Sequence, residues 1–82
     1  MRSAIRDADI EREEVQYVNA HATGMSSGDP VEIEAIKNVF EEHAADLAVS
    51  STKSVHGHLV GASGALEAAI TAIALQKGRI PP

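Results

Sequence analysis

Ser51-Thr52-Lys53-Ser54-Val55-His56-Gly57-His58-Leu59-Val60-Gly61-Ala62-Ser63-Gly64 is the stretch that decides the fold, because it joins two segments of different period. It carries one lysine, two histidines and three glycines. Before it, Leu47 to Ser50 reads as a short strand. After it, Ala62 to Lys77 is a helix with apolar residues at Ala62, Ala65, Leu66, Ala68, Ala69, Ile70, Ala72, Ile73, Ala74 and Leu75. Its polar stripe is narrow, with Ser63, Glu67 and Thr71 each four apart. A helix apolar over most of its circumference is expected to be buried on several sides. Gly78 suits the position just past its end, with Lys77 and Arg79 near the negative end of the helix dipole, and Pro81 and Pro82 stop the element.

Working upstream, Asp29-Pro30-Val31-Glu32 is the clearest helix start. Asp29 is expected as N-cap, Pro30 at the first helical position and Glu32 three residues on, as in a capping box. Ile33, Ile36, Val39 and Phe40 carry the apolar face, and the helix should run to about Ala44. Val15 to Ala20 reads as another short strand, through Val15, Tyr17 and Val18. Ala22 to Gly28 is a loop rich in turn formers. Residues 1 to 14 are charged, the end of a helix followed by a polar connection.

Strand, helix, strand predicts a βαβ unit with parallel strands. Both histidine-bearing loops, Asn19 to Gly24 and Ser51 to Gly61, then leave the same edge of the sheet. In open α/β sheets that carboxyl edge is where ligands bind.

Composition narrows the possibilities. With 82 residues the chain makes one small domain. Folds of this size bury only roughly 60–65% of their unfolded surface, so the core is thin. Aromatic residues are 2% of the chain, so Ala, Val, Ile and Leu must build that core. A net charge of −5 argues against binding to nucleic acid. Cysteine is absent, which excludes a disulfide scaffold, a thiolate metal site and a thiol nucleophile within this chain. The N-terminal residues lack the apolar core of a signal peptide. The longest weakly polar run, Leu59 to Leu75, is interrupted by Glu67 and short for a bilayer, so a buried helix is expected rather than a membrane span. A cytoplasmic location follows as the expectation.

The candidate functional side chains have plain alternatives. His21 follows a strand and precedes Gly24; such a histidine is commonly bonded to backbone, but Asn19 and Thr23 make its surroundings polar. Lys53 is a solvated loop charge unless it is buried near His58 and a carboxylate such as Glu32. His56 and His58, with His21, could ligate a metal, although no carboxylate lies beside the pair. His43 belongs to the exposed end of a helix. A glycine-rich phosphate loop is disfavoured by the absence of Gly-Lys-Ser/Thr at the helix start. The better functional reading puts His58 at the mouth of the Ala-rich helix, where Gly57, Gly61 and Gly64 permit close packing. There a neutral imidazole could stabilise an enolate or thioester oxygen.

Taken together the motifs resemble the β-ketoacyl synthases, the condensing enzymes of fatty-acid and polyketide assembly. Val18-Asn19-Ala20-His21-Ala22-Thr23-Gly24 resembles their first histidine loop, N-A-H-G-T-G-T. Gly28-Asp29-Pro30-Val31-Glu32 resembles the G-D-P-x-E that follows. Ser51-Thr52-Lys53-Ser54 and Gly57 through Glu67 resemble S-T-K-S and G-H-L-x-G-A-x-G-A-x-E. The resemblance spans about Ser3 to Pro82, in order and spacing.

It implies a partial thiolase-like fold of the α/β class, a βαβα piece with the Ala-rich helix buried in a middle layer. Residues 1–82 would be one incomplete domain, the first part of the family's C-terminal half. A cysteine in the N-terminal half would take the acyl chain as a thioester. His21 and His58 would assist decarboxylation of malonyl thioester and stabilise the enolate. Lys53 would orient His58, paired with Glu32 as site support, and Thr23 would bind the pantetheine arm. No cofactor is implied beyond the phosphopantetheine arm of acyl carrier protein, which carries the substrates. The implied partners are acyl carrier protein and the cysteine-bearing half, in a homodimeric parent. The chain alone would be inactive. Two positions depart from the pattern: Ala22 stands for a glycine, and Met25 for the second threonine, which removes one expected hydrogen bond to pantetheine. A different reading is a non-catalytic, ketosynthase-like module that pairs with another chain through the apolar helix.

Overall fold

The computed structural model describes residues 1–82. In chain order its elements are α1 (Arg2–Asp7), β1 (Tyr17–Asn19), α2 (Asp29–Phe40), β2 (Ala48–Ser50), α3 (Lys53–His56) and α4 (Ser63–Lys77). Single 3-10 turns occupy Arg12–Glu14, Glu41–Ala45 and Val60–Ala62. β1 and β2 pair in parallel, with Tyr17 opposite Ala48, Val18 opposite Val49 and Asn19 opposite Ser50. The expected βαβα order with parallel strands is present.

Alternation along the strands gives the sheet two unlike faces. Val18 points towards α2 and packs on a core of Ile36, Phe40 and Leu47, with Ile5, Val15, Val39 and Ala44 around it. The other face is polar. Tyr17 Oη and Ser50 Oγ lie 3.0 Å apart, and Ser50 Oγ donates to the Pro81 carbonyl at 2.7 Å. Asn19 Nδ2 donates to Thr71 Oγ1 of α4 at 3.4 Å. Thus α2 covers one face with apolar side chains, and α4 meets the other through hydrogen bonds.

Several expectations need correcting. α2 stops at Phe40 rather than Ala44, because Glu41 takes φ 51° and ψ −124°, which no helix accommodates. The turn that follows brings Ala44 onto the core and lets His43 Nε2 donate to the Val15 carbonyl at 2.7 Å. His43 is therefore half-buried, not an exposed helix end. Gly28, not Asp29, is the N-cap of α2. The loop after β2 also holds a short helix, α3, closed by Val55 N–H to the Thr52 carbonyl and Gly57 N–H to the Lys53 carbonyl, both at 2.9 Å. Gly78 ends α4 as expected, at φ 63° and ψ 33°. Its N–H donates to Leu75 O at 3.3 Å and that of Arg79 to Ala74 O at 3.1 Å, a Schellman closure.

The largest correction concerns α4. Within this chain it is not a buried helix: Ser63 is its one buried residue, and Ile73 and Leu75 are 50% and 79% exposed. The reason is geometric. Its polar stripe faces the sheet, and two strands are too narrow to cover the apolar flanks. No helix is long and apolar enough to cross a membrane.

Candidate active site

The first loop is held by the start of α2. Ala20 continues the strand pairing, its N–H donating to Ser50 O at 2.8 Å, so His21 follows the last paired residue. Glu32 does not cap its own helix. Its two carboxylate oxygens accept from His21 N–H at 2.7 Å and Ala22 N–H at 2.8 Å. Asp29 Oδ2 accepts from Gly24 N–H at 3.1 Å. Carboxylates in a first helical turn usually serve that helix's own free N–H groups; here both turn outward and clamp the loop. Ala22, where the family pattern has glycine, sits at φ 23°, at the border of the left-handed region. Thr23 is half-buried in the same loop, and Met25 is 61% exposed.

The second loop places Lys53 and His58 differently. Lys53 is buried, and its Nζ lies 2.6 Å from Glu67 Oε1. A buried ammonium needs such a partner, since an unpaired buried charge is strongly destabilising. The expected pairing of Lys53 with Glu32 is therefore replaced by Lys53–Glu67: both oxygens of Glu32 are taken by the first loop, and Glu67 lies on the stripe of α4 that faces the site. His58 Nδ1 is 3.0 Å from Ser63 Oγ, which also accepts from Leu59 N–H at 2.7 Å. Ser63 is only 4% exposed, so its proton must be satisfied within the protein. Donation to His58 Nδ1 satisfies it and leaves the ring proton on Nε2.

The two loops meet. The rings of His21 and His58 stand edge to face, centroids 5.4 Å apart and planes at 90°. An open cleft of about 570 Å³ adjoins His21, lined by Asn19, His21, Lys53, Gly64, Glu67, Ala68 and Thr71. Its charged walls belong to the Lys53–Glu67 pair. The site thus offers two exposed imidazoles beside a buried, neutralised ammonium.

His56 points elsewhere. Its Nε2 is 2.9 Å from Thr52 Oγ1 and its Nδ1 is 2.6 Å from Gly57 O, so both ring nitrogens are engaged. No group of three His, Cys, Asp or Glu side chains is placed to hold a metal ion. The close packing expected at Gly57, Gly61 and Gly64 is absent within this chain, since a Cβ on any of them would meet nothing within 4 Å. Only Gly57 needs to be glycine locally, at φ 76°.

Two residues of the site escaped sequence reasoning: Glu67 as the lysine's partner and Ser63 as the ligand of His58. The signal was present in the four-residue spacing of Ser63, Glu67 and Thr71. On a helix otherwise apolar, such a stripe marks the side turned to a polar site.

A βαβα unit that brings two histidines and a buried lysine together at the carboxyl edge of its strands defines an α/β protein with a polar candidate site at that edge. The family follows from comparison. Residues 1–82 match the family described as "Beta-ketoacyl synthase, C-terminal domain", and the chain belongs to the β-ketoacyl synthases. It is 50% identical over 82 residues to 3-oxoacyl-[acyl-carrier-protein] synthase 2 of Coxiella burnetii, which covers all of this chain and 20% of that protein. It is 49% identical over the same length to nodulation protein E of Rhizobium leguminosarum bv. trifolii, and 50% identical to 3-oxoacyl-[acyl-carrier-protein] synthase 2 of Staphylococcus aureus. Coverage is 100% of this chain and 20% of the relative in both cases, so the chain spans about a fifth of these proteins.

Proposed function

We propose that this chain is the histidine-bearing part of a β-ketoacyl-acyl carrier protein synthase, an acyltransferase of fatty-acid or polyketide assembly with a thiolase-like fold. The carrying observation is the His21–His58 contact beside the Lys53–Glu67 pair. In the proposed reaction malonyl thioester on acyl carrier protein loses CO2. The electron pair of the broken C–C bond passes into the thioester, and negative charge gathers on its oxygen. The Nε2–H of His58 and an N–H of His21 donate to that oxygen, in an exposed position that a thioester can reach. The enolate carbon then attacks an acyl thioester held on a cysteine; a C–C bond forms and the thiolate leaves. This chain has no cysteine, so the thiolate comes from an N-terminal half.

Lys53 acts from behind as a positioning and tuning group. Thr23 meets the pantetheine arm, and Glu32 keeps His21 in place by holding its backbone. The exposed apolar flank of α4, with Ile73 and Leu75, supports burial against the cysteine-bearing half in a homodimeric parent. The test is condensation of acyl and malonyl carrier-protein substrates by the 82-residue chain alone. The expected result is no product above a no-protein control; measurable turnover would overturn the assignment of the nucleophile.

A further inference from the structure

His56 belongs to a chain of hydrogen bonds whose direction is fixed at every link. The Gly57 carbonyl can only accept, so His56 Nδ1, 2.6 Å away, carries a proton. In the neutral ring Nε2 is then an acceptor, and the Thr52 hydroxyl at 2.9 Å donates to it. That hydroxyl oxygen in turn accepts a hydrogen bond from Asn19 Nδ2 at 3.2 Å. The second amide proton goes to Thr71 Oγ1 at 3.4 Å, and Thr71 donates to the Glu67 carbonyl at 2.7 Å. The Asn19 amide is oriented independently, because its Oδ1 accepts from Thr52 N–H at 3.4 Å. Reversing the ring tautomer would set a bare nitrogen against the Gly57 carbonyl and leave the Thr52 hydroxyl proton without the acceptor it has on His56. Thr52 is 3% exposed, so water cannot repair the mismatch.

This chain of bonds ends on the peptide that leads into His58. Gly57 sits at φ 76° and ψ −179°, a conformation without a repeating hydrogen-bond ladder to hold it. The bond from His56 pins the carbonyl of the Gly57–His58 peptide, while Ser63 pins the His58 ring at Nδ1. We infer that His56 is a positioning residue for His58: locked as the Nδ1–H tautomer by Thr52 and Asn19, it fixes the peptide from which the second histidine projects. It is not among the residues that line the cleft. The use made of His58 rests on the function proposed above; the direction of the bonds does not.

The test is a long-range 1H–15N correlation spectrum of the imidazoles in the 15N-labelled chain. His56 is expected in a single Nδ1–H tautomer. Thr52→Val, which keeps the shape and deletes the hydroxyl, should convert it to a mixture of tautomers and move the His58 ring signals; Thr52→Ser should restore both. An Nε2–H tautomer in the unmodified chain would overturn the proposal. So would a Thr52→Val spectrum with His56 and His58 unchanged. If Thr52→Val does not fold, the tautomer of the unmodified chain decides alone. Failure of the condensing function would leave this tautomer as it is, and failure of the tautomer would leave the condensing function standing, so the two outcomes are separable.

Discussion

Replacing Glu32 with glutamine should loosen the first histidine loop without disturbing the core beneath it. The carboxylate accepts two backbone N–H bonds, at 2.7 and 2.8 Å, one on each oxygen. Hydrogen bonds to a charged group contribute about 1.5–3 kcal/mol each, neutral ones about 1 kcal/mol. Glutamine keeps one acceptor oxygen, and its NH2 would confront the other N–H as donor against donor. One charged bond becomes neutral and the other is lost. His21 is exposed, so water recovers part of that loss. The net effect is about 2 kcal/mol on local order, a factor of about 30 in the opening equilibrium. Hydrogen exchange reads this directly. The amides of His21 and Ala22 should exchange about 10–100-fold faster in Glu32→Gln, while those of Ile36 and Phe40 in the core should change little. Unchanged exchange at His21 and Ala22 would refute the clamp. Equal acceleration at all four positions would show global destabilisation instead.

Four further outcomes are expected. Glu67→Gln leaves the Lys53 ammonium buried without its carboxylate, and should lower stability in urea titrations by about 3 kcal/mol, the low end for a broken buried pair because Glu67 borders an open cleft; Lys53→Met with Glu67→Leu should regain most of that loss. Ser63→Ala frees His58 Nδ1 and should turn the single His58 tautomer into a mixture in the same imidazole spectra that test His56. Val60 is a β-branched residue at φ 51° with 78% of its surface exposed, so Val60→Gly should be neutral to stabilising by about 1 kcal/mol in thermal melts, left-handed strain relieved against added chain entropy. Arg12 bridges Glu13 and Glu41 at the surface. Its hydrogen bond to Glu13 holds that carboxyl below its ordinary value. The contribution is thus present above the usual carboxylate range and fades as pH falls through the lowered value; acid titration by NMR should show a depressed Glu13 midpoint that moves back up in Arg12→Ala.

The order of elements was legible because it rests on local rules. Pro30 and the acidic first turn mark the start of α2, the spacing of Ile33, Ile36 and Phe40 marks its face, and Gly78 marks the end of α4. The sites of His21 and His58 were legible from the same source, as both loops leave one edge of a parallel pair. What local rules could not supply was the choice among equivalent partners. Asp29 and Glu32 fit a capping box by spacing, yet a carboxylate is free to turn to whichever N–H groups the fold brings nearest, and here those belong to residues 21, 22 and 24. The sequence does not say which glutamate pairs with Lys53, and only the orientation of α4 selects Glu67 over Glu32. What covers α4 was not legible for a related reason. Composition shows that a helix wants covering, but the cover must come from outside these two strands.

The central claim is that His21 and His58 act together on the charge that develops when malonyl thioester loses CO2. The most direct measurement is the rate of CO2 release from malonyl-acyl carrier protein by the protein completed with its cysteine-bearing half. His21→Ala and His58→Ala should each slow it by about 10²–10³, the usual effect of deleting one oxyanion donor, and the double variant should fall little below the slower single one, as expected of residues that act as a unit. A single variant that releases CO2 within about threefold of the unmodified rate, well short of the loss of one oxyanion donor, would contradict the claim.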